Sequence, residues 1–191
     1  GEAMGKEIRA QDCNLSGAVC INLLRHPGWG RAQETYGEDP YHLGEMGAAL
    51  STGIQTHNVA ATVKHFAVNS IENSRFKVNV KIDDRTLREV YLPHFKRVVD
   101  SGCSTVMSAY NKMNGEYCGQ NHELLTGILR GEWGFEGFVH SDWIFGVYKP
   151  YGAAAGLDVE NPEPIYFGQN RDFWSLVTVL QLRPPLLEIG E

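Results

Sequence analysis

Apolar residues gather along the chain in short β-rich runs: residues 17 to 23 (GAVCINL), about 61 to 66 (AATVKHF), 104 to 110 (STVMSAY), 137 to 143 (GFVHSDW) and, more weakly, 156 to 160 (GLDVE). Amphipathic helical spacing lies between most of them. One helix is expected from Asp39-Pro40, with Asp39 as N-cap, Pro40 at the first helical position, and Leu43, Met46, Leu50 and Ile54 on one face. A second begins near Asp83-Asp84 and carries Leu87, Tyr91, Phe95 and Val98 until Gly102 stops it, with a bend at Pro93. A third, over residues 121 to 133, stacks Leu125, Ile128 or Leu129, and Trp133. The opening stretch EAMGKEIRAQ reads as one more amphipathic helix. The resulting order is βαβαβαβ.

Strands that are apolar on both faces and separated by helices favour a parallel sheet with right-handed crossovers, either an open doubly wound sheet or a (β/α)8 barrel. No GxGxxG or GxxxxGK[ST] follows any of these strands, which removes the usual nucleotide-binding form of the open sheet. Polar residues stand instead at the C-terminal ends of successive strands: Lys64-His65, then Ser108 and Tyr110, then Ser141-Asp142. Barrels build their active sites on that face. The expected fold class is therefore α/β, a (β/α)8 TIM-barrel-type domain, incomplete, with roughly five of the eight strands that closure needs. The periodicity fades after about residue 161, so residues 1–162 are expected to form the partial barrel domain and residues 163–191 a divergent tail.

Composition narrows the function. A formal net charge of −6 over 191 residues leaves no basic stripe to neutralise phosphates, so no nucleic-acid partner is expected. No run approaches the roughly 18 apolar residues of a membrane span, and no leader opens the sequence, so no membrane partner is expected and the compartment stays open. Cys13, Cys20, Cys103 and Cys118 form no CxxC pair and no disulfide framework. The seven histidines contain no HExxH, and although His140 and Asp142 would share one strand face, two ligands fall short of a metal site.

A carboxylate at the mouth of an apolar strand must be solvated, paired or used, so Asp142 reads either as a catalytic group or as a structural cap. Trp143 beside it offers a flat wall for a sugar ring or a place in the core. Lys64-His65 would donate hydrogen bonds to hydroxyls and hold a nearby carboxylate ionised, with Arg75 a few residues on; the bland alternative is an edge lysine and a satisfied core histidine. Adjacent strand residues point to opposite faces, so both line one pocket only if the strand ends or bulges there. Tyr110 is a core aromatic or a pocket donor. The Gly- and Pro-rich stretch from residue 25 to 40 reads as a strand-to-helix loop on the active face; Arg25 and Arg31 in it are pocket or surface charges, and Glu38 and Asp39 are capping and Arg-pairing groups.

Five ordered blocks, HPGWGRAQETYGEDP, ATVKHFAVNS, VMSAYNKMNGE, LRGEWGFEGFVHSDW and AGLDVENP, resemble those of glycoside hydrolase family 3, especially its β-glucosidase branch. The resemblance runs from about residue 1 to 162. It implies an O-glycosyl hydrolase acting on terminal non-reducing β-D-glucosyl residues of a β-glucoside or oligosaccharide, by a retaining double displacement, with no cofactor and no metal. It implies Asp142 as nucleophile; Arg31, Lys64, His65, Arg75 and Tyr110 as ligands of the glycone hydroxyls; and Trp143 at the entrance between the first two sugar subsites. The acid/base glutamate of such enzymes comes from a C-terminal α/β-sandwich domain, expected to be missing from this chain. KHFAVNS in place of KHFPGHG disfavours the β-N-acetylglucosaminidase branch. A β-xylosidase of the same family, a catalytically inactive sugar-binding remnant and an aldolase-like enzyme with Lys64 as Schiff base are the alternatives.

Overall fold

The computed structural model describes residues 1–143, 146 and 152–161, and the tail expected over 163–191 lies outside the described residues. The strands are β1 (Leu15–Cys20), β2 (Ala60–Phe66), β3 (Asn79–Val80), β4 (Thr105–Ser108), β5 (Lys112–Met113), β6 (Glu116–Tyr117) and β7 (Phe138–His140). The helices are α1 (Glu2–Ala10), α2 (Pro40–Gln55), α3 (Asp84–Thr86), α4 (Pro93–Asp100) and α5 (Gly152–Ala155). The main sheet runs β1-β2-β4-β7 with every pair parallel. Each strand therefore lies beside the next main strand in the chain, as in barrel winding. The weak fifth run is reduced to one parallel bridge, Val159 to His140. Among the described residues no helix is long and apolar enough to cross a membrane.

The strands are shorter than the apolar runs suggest. β1 ends at Cys20, β4 at Ser108 and β7 at His140, so Tyr110 and Asp142 stand just past strand ends on the face where a barrel builds its site. Asp39 caps α2 as expected, its carboxylate accepting from the Tyr41 amide at 2.9 Å. Met46 departs from expectation: it is exposed, and Leu43, Gly44, Gly47, Ala48, Ser51 and Ile54 form the buried face. Small residues on that face let α2 lie close to β1 and α4. A Cβ at Gly47 would come within 2.8 Å of Ile21 and 2.9 Å of Val98. We expect Gly47→Val to destabilise the protein by about 1–3 kcal/mol through overpacking, read as a lower urea midpoint; an unchanged midpoint would mean that α2 moves freely.

Pro93 divides the second helix rather than bending it. Asp83 caps α3 through the Thr86 amide at 2.9 Å, wide π-type turns follow over Leu87–Tyr91, and α4 restarts with Pro93 at its first turn, where a missing N–H costs nothing. The helix over Glu123–Glu132 is also wound in π-type turns and buries Leu124, Leu125, Ile128 and Leu129. Trp133 packs edge-on against Phe66, with ring centroids 5.7 Å apart.

A second sheet, β3-β5-β6, was not anticipated. Its signal was present in Asn114-Gly115 between two short strands: both residues have positive φ, 51° and 105°, as a two-residue hairpin turn requires. The hairpin supports the site, because the Tyr117 hydroxyl donates to the Phe76 carbonyl at 3.2 Å and so ties down the loop that carries Arg75.

Candidate active site

The ends of β1, β2, β4 and β7 frame a cavity of about 400 Å³. All seven side chains singled out from the sequence, Arg31, Lys64, His65, Arg75, Tyr110, Asp142 and Trp143, line it together with Gly17 and Met107. A larger cavity of about 510 Å³ lies elsewhere, but its charged residues Arg25, Lys81 and Asp83 are exposed and water screens them. The smaller one holds the buried charges. Lys64 and His65, neighbours on β2, both reach it; the pairing of β2 with β4 shifts register between Val63 and Phe66, the irregularity that the sequence demanded. The Lys64–His65 and Phe66–Ala67 peptide bonds are cis.

Asp142 is 6% exposed. Its Oδ1 accepts from the Trp143 amide at 2.7 Å, while its Oδ2 has no hydrogen-bond partner among the described residues and lies 3.7 Å from His65 Nε2. Burial raises its pKa above the ordinary carboxylate value, opposed by the Trp143 amide, the Tyr110 hydroxyl and the charges of Arg31 and Arg75. One oxygen is thus held, and the other is buried without a hydrogen-bond partner beside the His65 ring. Tyr110 lines the cavity as an aromatic with its hydroxyl paired: its ring is buried beside Phe76, and its hydroxyl donates to the Trp143 carbonyl at 2.6 Å. Trp143, 44% exposed, stands at the rim as a wall rather than in the core.

His65 departs from the expected cationic donor. It is 1% exposed, and burial, followed by the charges of Arg31, Lys64 and Arg75, pushes its pKa well below the usual value. It is neutral, and Arg31 and Arg75 supply positive charge that favours ionised Asp142. Asn22, which nothing in the sequence singles out, binds His65 through both backbone and ring.

Glu34, read from the sequence only as part of the active-face loop, and Glu72, not singled out there, hold the cations. Glu34 accepts from Arg31 at 2.6 and 2.7 Å and pairs with Lys64 at 3.5 Å; Arg31's hydrogen bonds keep its carboxyl below the usual range. Glu72 accepts from Arg75 at 2.7 Å and from the Trp29 indole at 3.1 Å. Arg75 in turn stacks over Tyr110, 4.6 Å from its ring centroid. The only hint in the sequence was i, i+3 spacing, Arg31 to Glu34, which spans a 3-10 turn over Ala32–Glu34, and Glu72 to Arg75. Arg25 lies apart, exposed and over the Tyr91 ring.

A parallel sheet with a buried carboxylate and three cations at its C-terminal face has the layout of a barrel-type site for a polar ligand. The family model for the "Glycosyl hydrolase family 3 N terminal domain" matches residues 1–156, and the chain belongs to that family. It is 42% identical over 163 residues to "Thermostable beta-glucosidase B" of Acetivibrio thermocellus, covering 85% of this chain and 22% of that protein. It is 41% identical over 165 residues to an "Exo-alpha-(1->6)-L-arabinopyranosidase" of Bifidobacterium breve, covering 85% and 22%. The solved structure of "beta-glucosidase 3B from Thermotoga neapolitana in complex with glucose" matches with a TM-score of 0.86 and 39% identity, over 94% of this chain and 26% of that one. The fold is thus the TIM-barrel-type α/β class, and the chain spans about a quarter or less of the length of these relatives.

Proposed function

We propose that this chain carries the nucleophile and the sugar-gripping half of a β-glucosidase site, in which Asp142 Oδ2 attacks the anomeric carbon of a terminal non-reducing β-D-glucosyl residue. The observation that carries this reading is the buried Asp142 Oδ2, without a hydrogen-bond partner among the described residues, on a side chain that lines one cavity with Arg31, Lys64 and Arg75. Attack breaks the glycosidic bond and forms a glycosyl ester on Asp142. The departing oxygen takes a proton from a second carboxyl about 5 Å away, the spacing of a retaining glycosidase. Among the described residues lining the cavity Asp142 is the only carboxylate, and we assign the proton to a glutamate of a C-terminal α/β-sandwich domain. Water then hydrolyses the ester and releases β-glucose.

Lys64, Arg31 and Arg75 donate to the glycone hydroxyls, His65 Nε2 accepts from one, and Trp143 walls the entrance. Lys64 pairs with Glu34, which suits a hydrogen-bond donor better than the amine of a Schiff-base enzyme. Residues 1–162 act as the barrel half of this site. The likeness to an arabinopyranosidase supports a second reading: an α-L-arabinopyranoside has the ring of a β-D-galactoside without the exocyclic hydroxymethyl group, so it differs from the glucoside in that group and in the orientation of the C4 hydroxyl.

Proton NMR of the full-length natural protein acting on an aryl β-D-glucoside tests the proposal. β-Glucose is expected as the first anomer, with kcat/KM above that for the matching aryl α-L-arabinopyranoside. α-Glucose appearing first would refute double displacement, and the reverse preference would make the arabinopyranoside reading correct.

A further inference from the structure

Asn22 lies just past the end of β1, 1% exposed, and has no place in the displacement scheme. It nevertheless makes three contacts with a single residue. Its Oδ1 accepts from the His65 backbone N–H at 2.8 Å, its Nδ2 donates to the His65 carbonyl at 2.9 Å, and the same Oδ1 lies 2.9 Å from His65 Nδ1. The Thr35 hydroxyl anchors it from behind, donating to the Asn22 carbonyl at 2.6 Å.

We propose that Asn22 is a positioning residue whose carboxamide fixes His65 as the neutral tautomer with its proton on Nδ1, leaving a lone pair on Nε2 beside the Asp142 carboxylate. The two backbone contacts settle the orientation of the amide, since a flipped carboxamide would set NH₂ against N–H and oxygen against carbonyl oxygen. Oδ1 has only lone pairs to offer, so Nδ1 must carry the hydrogen. A neutral imidazole has one N–H, which leaves Nε2 bare. Burial, with Arg31, Lys64 and Arg75 around the ring, opposes a second proton.

The consequence concerns the nucleophile. With the other tautomer, an Nε2–H would point toward Asp142 Oδ2, now 3.7 Å away, and a small approach would tie up the attacking oxygen. With Nε2 bare, two lone-pair atoms face each other. The group that fits between them must donate, as a sugar hydroxyl does, to Nε2, and Oδ2 stays free to attack. What the lone pair does rests on the glycosidase reading; the tautomer rests on geometry alone.

The test is long-range ¹H–¹⁵N NMR of the full-length protein labelled at histidine nitrogens, with the His65 signals identified by their loss in His65→Gln. The expected spectrum has a protonated Nδ1 and an unprotonated Nε2 in the resting protein. A proton on Nε2, alone or as imidazolium, at the pH of activity would overturn the proposal. Asn22→Ala is expected to admit the second tautomer and to lower kcat/KM about ten- to a hundredfold, as loss of a buried hydrogen-bond partner does. A folded Asn22→Ala protein that keeps the single wild-type tautomer would also overturn it. If that variant does not fold, the wild-type spectrum decides. A wild-type protein with the expected tautomer but no action on glycosides would refute the glycosidase reading while leaving the role of Asn22 standing.

Discussion

Asp142→Asn in the full-length protein is expected to lower kcat/KM for aryl β-glucosides by on the order of 10⁴- to 10⁶-fold, the range seen when a member of a covalent catalytic set is removed. The substitution leaves the fold in place, because an asparagine Oδ1 still accepts from the Trp143 amide as Asp142 does at 2.7 Å. What disappears is the negative charge on the free oxygen. The smaller Asp142→Gly sharpens the test: azide admitted to the vacated space should restore turnover of a substrate with a good leaving group and yield an α-glucosyl azide, the product of a single inversion. A variant that keeps wild-type rates, or azide that gives only the β product, would remove Asp142 from the role assigned to it.

Arg31→Leu should have the next largest effect. Arg31 closes a two-pronged clamp on Glu34 and is one of the cations that draw the Asp142 pKa down against its burial. Without it the carboxylate is less favoured, so the Asp142 pKa rises further. The acid limb of kcat/KM, which requires the ionised nucleophile, then moves to higher pH. Loss of a charged hydrogen bond to substrate adds about a hundredfold at neutral pH. The pH profile separates the two causes, because lost sugar binding lowers the whole curve while loss of the charge displaces its acid side. An acid limb that stays in place would show that Arg31 exerts no field on Asp142.

The pattern of apolar runs located every main strand, and the order of strands and helices led to the barrel class, because period and spacing are local properties. Element ends were less legible. β1 and β7 each stop three residues before their apolar run does, since beyond them side chains turn to tertiary partners: Asn22 to His65, and Ser141 to Asn161. Met46 was misplaced because hydropathy rewards large residues, whereas α2 approaches β1 and α4 through Gly44, Gly47 and Ala48.

In the site, Asp142, Lys64 and His65 stood out because polar side chains at the end of apolar runs are conspicuous. Glu34, Glu72 and Asn22 did not, because loop residues gain meaning only from what the fold sets opposite them. The charge state of His65 was misjudged for a related reason. Sequence shows the neighbouring cation, Lys64, but not the burial that, with three cations nearby, keeps the imidazole neutral.

The central claim, that Asp142 is a nucleophile poised to form a glycosyl ester, is tested most directly by the intact mass of the full-length protein after incubation with 2,4-dinitrophenyl 2-deoxy-2-fluoro-β-D-glucoside. Dinitrophenolate departs without a general acid, so the experiment isolates the first chemical step. A mass increase of one fluoroglucosyl group, mapping to the peptide that contains Asp142 and absent from Asp142→Asn, is the expected result. A stable adduct on another residue, or hydrolysis of the parent glucoside by an enzyme that never acquires the label, would contradict it.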